Sequence, residues 1–292
     1  MSFEDRERID RSQTKMIEAA IRLLGDNSSD IVRASSLVLR NYGEAARAKL
    51  EAASDLEDVH TRMRVRNLLR SLDVQRYLRD FTELDLGSSA YSDPDPLLSG
   101  AVLATHMVHT FAPGVDELRE FLVKEAEVLR PRFDGRSLQT CARVLSRHLT
   151  EILGFRGGHK KQADLNHVLL NRVLEARVGI PVSLSLVYVL IGRQAGLTMT
   201  GVGLPTHFLV RIHGVRSVLV DPFHHGRIVL KTDCVRYLRG LGYVRARDYL
   251  RNLTDREMLA YYLRDLRRAA GYRGHRDAQQ TLGDALLHLD AK

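Results

Sequence analysis

Gly179-Ile180-Pro181-Val182-Ser183-Leu184-Ser185-Leu186-Val187-Tyr188-Val189-Leu190-Ile191-Gly192 is the most apolar stretch of the chain, and it decides the fold. A proline in the first turn of a helix gives up an N–H that has no partner there anyway, so Pro181 marks a start. Gly196 marks the end. The residues between predict a helix over Val182–Ala195 that is apolar on every side and therefore buried; Arg193 interrupts it well short of the ~20 residues a membrane span needs. Downstream the texture changes to short β-rich runs, Met199–Val202, His207–Ile212, Ser217–Val220 and Ile228–Leu230, which predict strands separated by turns. A buried helix followed by a small antiparallel sheet and flanked by further helices is an α+β core.

Upstream, helical periodicity dominates. Leu97–Phe111, Val115–Leu129 and Leu138–Leu153 predict helices punctuated by Pro113-Gly114 and by Pro131 to Gly135, and a further helix covers Leu165–Arg177 after the loop Gly154–Gly158. Gly87 to Pro96 is the best linker in the sequence. Before it, Met16–Leu24, Ile31–Gly43, a run ending near Ser54 and Val59–Leu72 predict four helices, and Asp30-Ile31-Val32-Arg33 has a loose echo in Asp58-Val59-His60. This pattern resembles a short HEAT-type array, an architecture that presents surfaces rather than chemistry. Helices return at Asp233–Leu241 and Thr254–Ala270, with a polar, helical last twenty residues. The expected organisation is a HEAT-like helical region over 1–88, an α+β core over 89–250 and a helical extension over 251–292.

The chemistry-bearing residues lie in the hairpin around Gly214. His207 stands seven residues before it and Asp221 seven after, so a hairpin symmetric about Gly214 makes them cross-strand partners with Cβ atoms ~4.5–5.5 Å apart. A carboxylate at that distance holds one imidazole nitrogen and leaves the other to act as a base. A one-residue slip in register would put the two on opposite faces, and a structural sheet histidine followed by an Asp-Pro turn fits the same residues. A base invites a nucleophile, and a helix N-terminus is the favoured place for one. The first turn after Pro181 offers Ser183, with Ser185 next. An ordinary first-turn serine is the simpler reading of Ser183.

The run Leu170 to Ser185 (Leu-Asn-Arg-Val-Leu-Glu-Ala-Arg-Val-Gly-Ile-Pro-Val-Ser-Leu-Ser), together with Gly201 to Arg211 and Val220-Asp221-Pro222-Phe223, resembles the bacterial SirB-like proteins, whose core belongs to the transglutaminase-like superfamily. The resemblance covers approximately residues 95–250. It implies a papain-like architecture, a helix packed on an antiparallel sheet, with a Cys-His-Asp triad in active members. The histidine position falls on His207, the aspartate position on Asp221 and the nucleophile position on Ser183, where this chain departs from the thiol enzymes. Cys141 lies on an earlier helix and Cys234 follows the sheet, so neither matches the motif.

Composition narrows the partners. The 292 residues carry 44 basic and 36 acidic side chains, a net charge of +8. Up to Ala90 there are 15 basic and 16 acidic residues, so the whole excess follows, densest from Arg236 to Arg276 with eleven arginines against four acids. Such a face attracts nucleic acid or an acidic protein, but no nucleic-acid motif accompanies it, and 37 arginines against 7 lysines fit a GC-rich genome. Two cysteines are too few for a disulfide-built secreted domain, and the charged start Met1-Ser2-Phe3-Glu4-Asp5-Arg6 lacks the apolar centre of a signal peptide. The expectation is a soluble cytoplasmic protein without membrane contact. His106 and His109 are spaced to share a metal but show no third ligand; His224-His225 reads as a surface turn at the rim of the site; Gly154–Gly158 lacks the lysine and hydroxyl of a phosphate loop. No cofactor and no metal are expected. The favoured function is non-catalytic, a retained cleft that binds a peptide or protein. The alternatives are a hydrolase or acyltransferase using Ser183, His207 and Asp221, with an oxyanion hole at the Pro181 helix start, and weak nucleic-acid binding by the Arg-rich C-terminal half.

Overall fold

The computed structural model describes residues 3–55, 58–87, 93–158, 164–205 and 207–291, which form two compact units, Met1–Arg76 and Tyr77–Lys292. In the first, α1 (Phe3–Leu23), α2 (Ser29–Tyr42), α3 (Glu44–Ala52) and the start of α4 (Val59–Glu83) bury one apolar stripe each. Ile17, Ile21 and Leu24 of the first helix and its C-terminal end meet Leu39, Ala46, Leu50, Val65, Leu68 and Leu72 in a small core of their own. The division falls inside α4, whereas the sequence reading places a boundary in the Gly87–Pro96 stretch, of which residues 88–92 lie outside the described residues.

The larger unit continues with α5 (Asp95–His106), α6 (Val115–Phe133), α7 (Leu138–Arg147), β1 (Arg156–Gly157), α8 (Leu170–Ala176), β2 (Val178–Gly179), α9 (Pro181–Gln194), β3 (Met199–Leu204), β4 (His207–Ile212), β5 (Val218–Asp221), β6 (Arg227–Val229), α10 (Lys231–Gly240), α11 (Asp255–Tyr272) and α12 (Arg276–Ala291). Its centre is α9, in which every residue from Val182 to Arg193 is buried; this is why the helix reads as apolar all round. Strands β3 to β6 form an antiparallel meander in sequence order, and their alternation serves two cores. Phe208, Val210, Ile212, Val218 and Val220 join the core around α9. Val202, Leu204, Leu209 and Leu219 face the other way, against Cys234 and Leu238 of α10. The polar gaps in β3 have a packing reason: a Cβ on Gly203 would lie 2.7 Å from the ring of Tyr261, so glycine lets α11 approach the sheet.

Three local expectations are corrected. Helix α6 runs through Pro131 to Phe133, so the proline stands in its last turn; it forfeits one intrahelical bond there, while its preset φ suits the helix. The predicted helix Leu138–Leu153 changes after Arg147 to one π-helical turn, His148–Ile152, where buried His148 bonds to Glu125 at 2.8 Å. The predicted helix Leu165–Arg177 is broken: a 3-10 turn, Leu165–His167, precedes α8, with Leu169 in a non-helical conformation between them. That break leaves the carbonyl of Val168 outside any helical ladder, which matters for Ser183 below. Among the described residues, no helix is long and apolar enough to cross a membrane.

Candidate functional site

The β4–β5 ladder pairs Val210 with Val220, Arg211 with Leu219 and Ile212 with Val218. The hairpin is therefore centred on Val215, one residue beyond Gly214, and the expected direct pairing of His207 with Asp221 is corrected. Moving the centre by one residue moves every partner by two, which preserves the face. Continued along the register, Asp221 stands opposite Leu209, and His207 is its diagonal neighbour on the same alternation, within reach of a long side chain. Contact is made: His207 Nε2 and Asp221 Oδ1 are 2.9 Å apart. Because an ionised carboxylate only accepts, Nε2 carries the proton in this pair.

Asp221 does more than orient one imidazole. It caps the 3-10 turn Pro222–His224 by accepting the His224 backbone N–H at 3.2 Å, and its Oδ2 accepts from His224 Nδ1 at 2.8 Å. His225 and Gly226 then take left-handed conformations, φ 57° and 65°, and return the chain to β6. Gly226 is required twice over, since a Cβ there would also fall 2.6 Å from the hydroxyl of Tyr188 on α9. The ring edge of Phe223 meets His207 with centroids 5.9 Å apart, and the His207 and His224 rings are 5.2 Å apart. Burial by itself pushes the Asp221 carboxyl up; the hydrogen bonds and charges of His207 and His224 together outweigh it and hold the group below its ordinary value. Sequence reading placed His224 at a rim turn. The i, i+3 spacing Asp221-Pro222-Phe223-His224, with aspartate as the cap of a proline-started turn, is the signal that places it on the carboxylate.

Ser183 is completely buried, and its Oγ donates to the carbonyl of Val168 at 3.1 Å. The structure thus joins His207 to Asp221 and commits Ser183 elsewhere; among the described residues, no hydroxyl or thiol is hydrogen-bonded to His207. Ser185 is also fully buried, with its hydroxyl lacking a hydrogen-bond partner. His106, weighed as half of a metal pair, stacks on Tyr77 with centroids 4.6 Å apart, and its Nδ1 lies 3.3 Å from the Thr110 carbonyl.

A family model described as the transglutaminase-like superfamily matches residues 115–264, which hold α9, the whole four-stranded sheet and the His207–Asp221 pair. The chain belongs to this superfamily. It is similar to a UPF0162 protein of Xylella fastidiosa, 35% identical over 136 residues, or 45% of this chain and 47% of that one. A UPF0162 protein of Vibrio cholerae is 33% identical over 89 residues, 30% of this chain and 33% of its own. Human F-box only protein 21 is 35% identical over 78 residues, 26% of this chain and 12% of that protein. The chain thus covers under half the length of each of these relatives. No solved structure matches.

Within this transglutaminase-like core, both cysteines are buried, and their surroundings push the thiols up rather than down. Burial pushes the Cys141 thiol up. It does the same to Cys234, and the nearby carboxylates of Asp233 and Asp221 push in the same direction. A nucleophilic thiol needs the opposite environment, a cation or a helix N-terminus that lowers its pKa.

Proposed function

We propose that this chain is a non-catalytic transglutaminase-like protein that binds a peptide or protein at the cleft beside His207, with the first four helices acting as a HEAT-like second surface and the core being of the SirB-like kind. The observation that carries the reading is the commitment of Ser183: its hydroxyl is buried and donates to Val168, so its proton is not on the base. A serine nucleophile needs that base to take its proton in the transition state. The alternative, a hydrolase or acyltransferase using Ser183, His207 and Asp221, requires Oγ to leave Val168 and turn to His207. Exposure to a fluorophosphonate probe followed by intact-mass analysis separates the two. No adduct is expected on folded wild type. An adduct that disappears in both Ser183→Ala and His207→Ala would establish the triad and end the non-catalytic reading. Titrating a degenerate pool of short peptides while following the imidazole NMR signals of His207 and His224 tests the other half; unmoved signals would sink peptide binding at this cleft.

A second reading, nucleic-acid binding by the Arg-rich C-terminal half, is supported by one specific feature. A cavity of about 510 Å³ beside α10 is lined by Lys231, Arg236, Arg239 and Arg247, with Thr232 and Val235 and no acidic residue among the described residues of its lining. If each of the four cations neutralises one phosphate of a duplex, raising salt from about 50 to about 200 mM should cost about a hundredfold in affinity. Filter binding at the two salt concentrations reads this directly, and salt-independent retention would exclude the cavity as a phosphate site.

A further inference from the structure

We propose that His207, Asp221 and His224 form a binding site for one divalent transition-metal ion, best matched by Zn²⁺, with a fourth position open to solvent. The inference goes beyond the peptide-binding reading and does not rest on it. One potential ligand atom from each of the three residues lies within 4.8 Å of the other two. They come from two elements that the fold holds together: His207 begins β4, while Asp221 ends β5 and caps the turn that carries His224.

The geometry is close to what the ion needs. Zinc–nitrogen and zinc–oxygen bonds of ~2.0–2.2 Å in a tetrahedron place neighbouring ligand atoms roughly 3.3 Å apart. The two imidazole–carboxylate separations here are 2.9 Å to Oδ1 and 2.8 Å to Oδ2, so each ring holds a different carboxylate oxygen. An ion between the rings is met by both oxygens, or by one after the carboxylate turns, with the contacts opening by a few tenths of an ångström. The exposure is graded in the right way. The Asp221 side chain is 4% exposed and that of His207 13%, whereas that of His224 is 56% exposed, so one side of the triangle faces water and the site has an entry path.

Structural need alone does not account for the third group. A buried carboxylate is already served by the His207 ring and by the His224 backbone N–H; a second, half-exposed imidazole on its other oxygen completes a ligand set. The donor types choose the ion. Two imidazoles and one carboxylate suit Zn²⁺ and its neighbours in the transition series rather than Mg²⁺ or Ca²⁺, which prefer all-oxygen shells. Three protein ligands with one open position is the arrangement of zinc sites that keep a water. Loading the ion changes the protonation pattern in a defined way. In the hydrogen-bonded form His207 carries its proton on Nε2 and His224 on Nδ1, both facing Asp221; a metal on those atoms requires each neutral ring to hold its proton on the opposite nitrogen. A metal on His207 Nε2 leaves the ring proton on Nδ1, the nitrogen that would serve as base in a Ser-His-Asp triad, so the loaded protein has no base for Ser183.

The test uses the full chain, freed of metal by chelator and titrated with Zn²⁺ alone against a chromophoric chelator. One Zn²⁺ per chain is expected, with the ring nitrogen NMR signals of His207 and His224 exchanging their protonated and unprotonated assignments. His224→Ala is the leading variant because that side chain is half exposed and its loss spares the core. It should weaken binding by at least about 100-fold, since loss of an outer-shell partner alone costs 10–100-fold, with the circular dichroism spectrum unchanged. Absence of zinc binding in the micromolar range overturns the proposal. So does equal binding by wild type, His224→Ala and His207→Ala, which would place the ion on other residues. Running the probe and peptide experiments above in chelator keeps their failure distinct from the failure of this site.

Discussion

Replacing Asp255 by alanine should destabilise the larger unit by about 3–5 kcal/mol, the usual cost of stripping one partner from a buried ion pair, and lower its melting temperature by roughly 10 °C. The Arg193 and Asp255 side chains are 0% and 3% exposed. They meet as a fork, Nη1 to Oδ2 at 2.8 Å and Nη2 to Oδ1 at 2.7 Å. The same guanidinium donates to the Met199 carbonyl from Nε and Nη2 at 3.0 and 2.9 Å, and to the Asp93 carbonyl from Nη1 at 3.0 Å. One side chain therefore ties the end of α9 to the start of β3 and the start of α11, fixing the helix against the sheet that carries His207. Without Asp255 the guanidinium keeps its carbonyls but is left as an uncompensated charge in the core. Arg193→Met should cost less, because the Asp255 carboxylate lies in the first turn of α11, where the helix dipole favours an anion by up to ~2 kcal/mol. The double variant Arg193→Met with Asp255→Leu should recover most of the loss, since apolar groups of similar volume replace a buried pair at little cost. Urea unfolding of the three variants checks the order; an Asp255→Ala protein within about 1 kcal/mol of wild type would show that the pair is not a structural anchor.

That anchor was invisible in the sequence for a physical reason. Arg193 and Asp255 lie 62 residues apart, and nothing local distinguishes an arginine that ends a helix from one that crosses the core. What could be read was whatever rests on period and punctuation. The helix after Pro181 and the four strands after Thr198 emerged from their own patterns because each buries a face set by its backbone geometry. The two-residue strands β1 and β2 pair Arg156 with Val178 and Gly157 with Gly179; runs that short have no period to detect. The break at Val168-Leu169 was hidden because the apolar residues on both sides keep helical spacing. The His207–Asp221 contact was legible in its parity but not in its register, since a hairpin centred on Gly214 or on Val215 puts both residues on one face. His224 was missed because its partner lies three residues away along a turn, where side-chain capping rather than periodicity sets direction.

Tyr262 ties the core of the larger unit through one hydroxyl, and its removal should show as a stability loss that shrinks at high pH. The ring is fully buried. Thr105 Oγ1 donates to the Ala101 carbonyl at 2.9 Å, so in the Tyr262–Thr105 contact of 3.1 Å the tyrosine is the donor. Its oxygen in turn accepts the backbone N–H of Leu170 at 2.9 Å, at the start of α8. Tyr262→Phe removes both bonds and strands a buried N–H, costing about 1–3 kcal/mol near neutral pH. Burial is the main cause that pushes the Tyr262 hydroxyl up to about 12, against an ordinary 10.0; hydrogen bonds to Thr105 and Leu170 offset part of it. With the folded value above the unfolded one, this group's contribution is fully present below pH 10 and is lost as pH rises through about 12. The loss expected across that window is comparable with the cost of the substitution itself. Wild type should therefore lose its advantage over Tyr262→Phe between these limits, because phenylalanine has no proton to give up while every other group titrates alike in both proteins. Paired urea melts at neutral pH and across that window measure the difference. A gap that stays constant to the alkaline limit would mean that Tyr262 does not resist ionisation in the folded core, and that its hydroxyl is solvated rather than locked between α5, α8 and α11.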